Sequence, residues 1–350
     1  MRFPCSALLL AIPVALTAQQ PERIALEGRD IAIYNLVGRL TVDGGTGDKV
    51  IVEVTRGGRD ASRLKLESGT VHGRAALRVI YPDDRIYYSD SRWNGRTTFS
   101  VADDGTWGDD RNGRSSERRR IEVSSRGDGL DAHADLHVII PKGRTVLLRQ
   151  GVGETTIDNV EGNLDVDVAS SHSRVSRIRG ALTIESGSGS VDVSDVTGDV
   201  KIDAGSGGAT VEGIHGTALH LDIGSGSFRG RAIDVSELVG DVGSGGMRIA
   251  GLKTQRLRLD VGSGGTDVEF LTSPDDVKIE AGSGGVTLRL PATTSATVDA
   301  EGGSGGIDTD FEVKLSRIER RALHGSIGGG KGRIQIETGS GTIRLLKNAR

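Results

Sequence analysis

Val200-Lys201-Ile202-Asp203-Ala204-Gly205-Ser206-Gly207-Gly208-Ala209-Thr210-Val211 is answered nineteen residues later by Leu219-His220-Leu221-Asp222-Ile223-Gly224-Ser225-Gly226. The first Gly of Gly-Ser-Gly recurs at 187, 205, 224, 243, 262, 282, 303 and 339. The last interval, 36 residues, reads as two periods of 18, with Gly328-Gly329-Gly330 marking an altered corner. An alternating run precedes each corner, as in Leu257-Arg258-Leu259-Asp260 and Val277-Lys278-Ile279-Glu280. A second run follows, with apolar residues four and six places after the first Gly (Val191/Val193, Met247/Ile249, Val286/Leu288, Ile343/Leu345). A third apolar position, nine places on, holds Val196, Ile214, Ile233, Leu252 and Leu271.

Period-2 alternation inside a period near nineteen predicts coils of two or three short strands, stacked so that equivalent strands pair in parallel. Val, Ile and Leu ladders then form a narrow core. Gly-Ser-Gly is expected at a corner that needs torsions closed to residues with a Cβ, and where stacked chains crowd. The fold class is therefore all-β, a single-stranded parallel β-helix (β-solenoid), right-handed by the bias of parallel crossovers. Sustained helical spacing is absent.

Outward from this core the pattern wears. Residues 19–82 read as N-terminal coils, with Ile31-Ala32-Ile33, Leu40-Thr41-Val42 and Val50-Ile51-Val52-Glu53-Val54 as runs. Residues 132–350 form the main solenoid, entered through Leu136-His137-Val138-Ile139-Ile140 and Thr145-Val146-Leu147-Leu148. Between them, residues 83–131 are polar and lack the repeat, so they are expected outside as a loop insertion, long or partly disordered. This segment nevertheless holds Tyr87, Tyr88, Trp93, Phe99 and Trp107, including both Trp residues. Tyr87, Tyr88, Trp93 and Trp107 are the candidate ligand-binding residues. Such rings suit sugar faces and protein partners; equally, they suit a segment folded back over a solenoid flank.

Of 350 residues, 53 are Gly, about twice the usual share, yet only 7 are Pro and Gly does not fall at every third place, which excludes collagen. With 44 Lys+Arg against 48 Asp+Glu, the chain offers no basic field for nucleic acid. Residues 1–18 read as a signal peptide, with Arg2, an apolar run from Ala7 to Leu16, and Ala18 before the cut. Cleavage there would remove Cys5, the sole Cys, and the run is too short for a membrane span. The expected location is secreted, periplasmic or cell-surface, with cell-surface glycans or envelope proteins as partners.

The Gly-Ser-Gly coils, Gly325-Ser326-Ile327-Gly328-Gly329-Gly330 before Arg333-Ile334-Gln335-Ile336, and the ending Thr338-Gly339-Ser340-Gly341-Thr342-Ile343-Arg344-Leu345 carry a resemblance. Over residues 30 to 345 the chain resembles a bacterial family of secreted domains of unknown function labelled putative adhesins. The resemblance implies a β-solenoid at the cell envelope and supplies no site residues.

Several motifs dissolve on inspection. Gly325–Gly332 is one residue from a phosphate loop, but Gly332 replaces the Mg²⁺-binding hydroxyl and a strand pattern follows. Gly302-Gly303-Ser304-Gly305-Gly306 spells a nucleophile elbow, but the same Ser recurs at every corner. Calcium coils of period nine need Asp where Ile307 stands. Asp103-Asp104-Gly105 and Asp109-Asp110 lack an EF-hand register, and Arg126-Gly127-Asp128 is a lone tripeptide. The scattered His residues give no zinc spacing. Glu185, Asp203, Asp222, Asp241, Asp260, Glu280 and Glu337 form an acidic ladder two places before each corner, beside Lys201, His220, Arg258 and Lys278. Diagonal pairing of the two ladders predicts a solvated ion-pair face. The expected function is a non-enzymatic adhesin or surface scaffold without cofactors or metals. The alternatives are a β-helix carbohydrate-active enzyme using the carboxylates, or a glycan- or protein-binding module centred on the insertion.

Overall fold

Successive side chains of a strand point to opposite faces, so two alternating runs per repeat can bury their apolar sides only by stacking on copies of themselves. The computed structural model describes residues 21–90, 93–108, 118–319 and 321–348; the signal-peptide segment and Asp109-Asp110 lie outside them. Apart from a 3-10 turn at Ala61–Arg63, its regular elements are strands. The fold is a parallel β-solenoid of two strand columns. The first runs from Arg74–Ile80 and Asp30–Val37 through Leu182–Ser186, Val200–Ala204, Arg256–Val261 and Asp276–Ala281. The second contains Val191–Thr197, Met247–Lys253, Thr266–Phe270 and Val286–Leu290. Long strands such as Ala209–Ile223 and Phe228–Val242 serve the second column with their first half and the first column with their second.

Register fixes the core. Leu182, Val200, Leu219, Leu238, Leu257 and Val277 stack directly on one another, and each is at most 2% exposed. Where a bulky ring enters this thin interior, glycine makes room. Phe228 takes the slot of Ala209 and Met247, while Gly230 occupies the inward slot that Val211 and Ile249 fill in the flanking rungs. A Cβ on Gly230 would lie 2.7 Å from the Ile233 side chain.

The corners are glycine for one of the two expected reasons only. None of the Gly-Ser-Gly glycines has a positive φ, so torsion does not demand them. Crowding does. A Cβ on Gly207, Gly245, Gly264 or Gly284 would fall well inside 3.0 Å of the carbonyl oxygen of the glycine one rung below.

The left-handed positions lie elsewhere. Asn159, Arg177, Asp195, Gly213, Ala232 and Gly251 all have φ between 51° and 74°, and stacking aligns them as a kink across six rungs. Ala232→Gly should relieve strain and raise stability by about 1 kcal/mol, against the usual penalty of Gly in a strand. Gly251→Ala, where an added Cβ meets nothing closer than 3.7 Å, should cost about 1 kcal/mol from the backbone alone. Urea unfolding of the two variants checks the pair of opposite signs. The kink ends at the next rung, where Leu252 pairs with Phe270 after a register shift. Phe270 is therefore buried in the slot expected for Leu271, and Leu271 is 52% exposed.

The C-terminal coil departs from sequence order. Gly332–Thr338 lies between Asp276–Ala281 and Ala296–Gly302, and Ile343–Lys347 lies between Val286–Leu290 and Ile307–Thr309. Gly328-Gly329-Gly330 is thus no corner. The 36-residue interval contains an antiparallel hairpin, Val313–Glu319 with Ala322–Ile327, which closes the first column against Ala296–Gly302.

The N-terminal part is less regular than repeated coils. Val50–Gly57 runs antiparallel to both Glu22–Leu26 and His133–Pro141, and Lys65–Val71 forms a hairpin with Arg74–Ile80. The polar insertion is no simple loop. Arg85–Tyr87, Arg96–Ala102, Arg118–Ser124 and Leu130–Asp131 build a second, four-stranded sheet. Its Ile86, Phe99, Val101, Ile121, Val123 and Leu130 join the main core.

Candidate functional site

Two places concentrate chemistry: the outer face of the first column and the seam between the insertion and the solenoid. On the first, parallel register places Asp167, Glu185, Asp203, Asp222, Asp241, Asp260, Glu280, Glu337 and Glu301 in one continuous column. Successive carboxylates are about 4.8 Å apart along the stack. Arg149 heads the column, only 7% exposed, 3.0 Å from Asp165 and 3.6 Å from Asp167. The parallel basic ladder neutralises less than the sequence suggests. Lys278 pairs with Glu280 at 2.6 Å, but Arg258 turns to Glu237 and Asp276 instead of Asp260.

Burial first, then the neighbouring Asp222 and Glu185, hold the Asp203 carboxyl above its ordinary pKa; burial, then Asp260 and Asp222, do the same to Asp241. A carboxyl whose folded pKa exceeds its unfolded one favours folding when protonated. That stabilisation is complete below the ordinary aspartate pKa and is lost as pH rises through the raised values. At neutral pH the repulsion remains. Asp222→Asn removes the neighbour common to both and should raise the melting midpoint by about 1 °C in dilute buffer. In about 1 M salt, where the Debye length is ~3 Å, the gain should vanish. Calorimetry at both ionic strengths checks this; a lowered midpoint in dilute buffer would contradict it.

At the seam, the four candidate aromatics separate. Tyr88 is buried between Trp93, 6.2 Å away, and His133, 5.5 Å away. Its hydroxyl donates to Asp90 at 3.2 Å, and burial pushes its pKa above the ordinary range. Tyr87 is half-buried on the small sheet. Trp107 is buried and packs edge-on against Phe99 at 5.3 Å. Trp93 is half-buried, donates its indole N–H to Ser170 Oγ at 3.1 Å, and lines a cleft of about 260 Å³ with Asp90, Glu154, Ser170, His172, Ser188 and Ser190.

Within this cleft His172 Nδ1 lies 2.6 Å from Ser190 Oγ, and Nε2 lies 3.5 Å from Asp192. Arg174 Nη2 lies 3.4 Å from the same Nε2, so a guanidinium competes with Asp192 for the ring nitrogen that a triad carboxylate would hold. The Gly325–Gly332 loop is likewise accounted for: the amides of Gly329 and Lys331 donate to Ser295 Oγ at 2.9 and 3.3 Å, and a strand follows. Asn35, Gln150 and Tyr81 form a buried network, satisfied by Val37, Gly38 and Ala134 carbonyls, that holds the N-terminal rungs together.

The family model for Toastrack DUF4097 covers residues 133–346, more than half of the chain. The chain belongs to this Toastrack family. No curated protein matches it. A crystal structure of a putative cell adhesion protein from Clostridium sporogenes is similar at a TM-score of 0.21 and 12% identity, over 94% of this chain and 100% of that one. The Toastrack match begins at the strand His133–Pro141, just past the small sheet, and spans the out-of-order C-terminal coil.

Repeat spacing picks out seven carboxylates of this ladder and leaves out Asp167 and Glu301 at its ends. Glu301 was visible, two places before Gly303. What it faces was not, because the closing hairpin has no repeat to align.

Proposed function

We propose that this Toastrack chain is exported by cleavage after Ala18 and works as a non-enzymatic scaffold at the cell envelope, presenting its charged faces for adhesion. The carrying observation is the column of stacked carboxylates, in which each group has a near-identical neighbour one rung away. Glycoside cleavage uses one carboxyl pair set apart from its surroundings; a run of like carboxylates continued from rung to rung suits an extended surface for many weak contacts. The test has three parts. The exported protein should begin at Gln19 by mass spectrometry, it should sediment with envelope fractions, and it should release no reducing ends from a polysaccharide panel. Reducing-end release would overturn the reading.

A second reading, a glycan-binding module, is favoured by the Trp93 cleft with its hydroxyls and carboxylates. Deleting the insertion would strip core residues such as Phe99 and Ile121, so Trp93→Ala is the sharper variant. Loss of envelope binding on that change alone would favour the cleft over the ladders.

A further inference from the structure

The slot beside the carboxylate column turns acidic at its last rung. In that slot Asp165, paired with Arg149, is followed by Thr183, Lys201, His220, Val239, Arg258, Lys278 and Gln335, all basic or neutral from Thr183 onward. The next residue in that register is Asp299. Directly opposite it on the closing strand Ala322–Ile327 stands His324, whose Nδ1 is 2.6 Å from Asp299 Oδ1. Glu301, two places along the same face, completes the group: one donor atom each from Asp299, Glu301 and His324 lie within 4.8 Å of one another.

From this geometry we propose that Asp299, Glu301 and His324 form a binding site for a divalent first-row transition ion. Imidazole nitrogen with two carboxylate oxygens is a donor set that suits Zn²⁺ and its neighbours, whereas Ca²⁺ and Mg²⁺ prefer all-oxygen shells. The ligands stand on paired strands: Ala296–Gly302 is held on both sides, and so is Ala322–Ile327. Metal–ligand bonds of about 2.0–2.2 Å need only small side-chain rotations to draw the three donors together. A cross-strand ion pair accounts for Asp299 with His324 alone. The third group, Glu301, is register-paired with Glu337, so it adds negative charge that a bound cation offsets. Among the described residues this constellation occurs once, unlike the ladders, and it sits at one end of the solenoid, where the column meets the hairpin. Arg321 lines the same groove as Glu301 and Glu337, so its positive charge there opposes a bound cation.

The test is calorimetric titration of the tag-free full chain with Zn²⁺, with Ca²⁺ and Mg²⁺ in parallel. One Zn²⁺ should bind per chain. His324→Ala and Asp299→Asn should each weaken it about tenfold or more, and Arg321→Ala should tighten it. Metal-free melting curves of the variants show whether they fold. If His324→Ala does not, Co²⁺ loading of the unmodified chain, read by visible absorption, reports nitrogen ligation directly. Absence of Zn²⁺ uptake, uptake unchanged by His324→Ala, Co²⁺ spectra of oxygen-only coordination, or Ca²⁺ bound as tightly as Zn²⁺ would each overturn the assignment.

Discussion

Gly264→Ala should destabilise the chain by about 3 kcal/mol or more, while Gly265→Ala, one residue along the same corner, should leave stability unchanged or slightly improved. Neither residue has a positive φ, so the difference is not conformational. A Cβ on Gly264 would overlap the carbonyl oxygen of Gly245 well inside 3.0 Å, whereas one on Gly265 would find nothing nearer than 3.8 Å. The carbonyl is backbone, tied into the ladder of the rung below, and cannot rotate away as a side chain would. The chain already contains the control. The place of Gly265 is taken by Ser190, Ser227 and Thr342 in other corners, while the place of Gly264 is Gly in every Gly-Ser-Gly repeat. Denaturant unfolding of the two variants decides the matter, and equal midpoints would mean that the corners are not in close contact.

Ile336→Asp should be comparably severe, at about 3–5 kcal/mol, and its effect should spread to both sides. Ile336 is 0% exposed and pairs with Ile279 in one neighbouring strand and Ala300 in the other. A carboxylate there has no charge partner in the apolar ladder. Hydrogen exchange should show the amides of Asp276–Ala281 and of Ala296–Gly302 losing protection together. Distant rungs such as Val200–Ala204 should keep theirs, because each coil touches only its neighbours. If the coil at 332–347 were the last in space as it is in sequence, only its own amides and those of one neighbouring strand would respond.

The same contrast separates what each level of description holds. Period and alternation in 187–290 dictate the solenoid, since a strand with one apolar side has no partner so suitable as its own repeat, and register follows because a one-residue slip would turn every side chain outward. The carboxylate column follows from the same periodicity. By contrast, the place of Leu271 depended on whether its rung keeps the left-handed kink, a single backbone choice invisible in the residue types.

The insertion was legible only as an exception. Its polarity suggested a loop, yet Phe99, Trp107 and Ile121 cover the solenoid flank, because alternation in two short strands is too brief to stand out among Asp, Arg and Ser. Residue pattern alone dictates the repeating coil, its thin aliphatic core and its stacked charges, all of which are local patterns multiplied by translation. Tertiary structure alone decided that the final coil slides between two earlier ones and that a hairpin carries His324 to Asp299. Those contacts join segments with no shared repeat, and nothing in a one-dimensional period specifies which end of a stack a returning chain will meet.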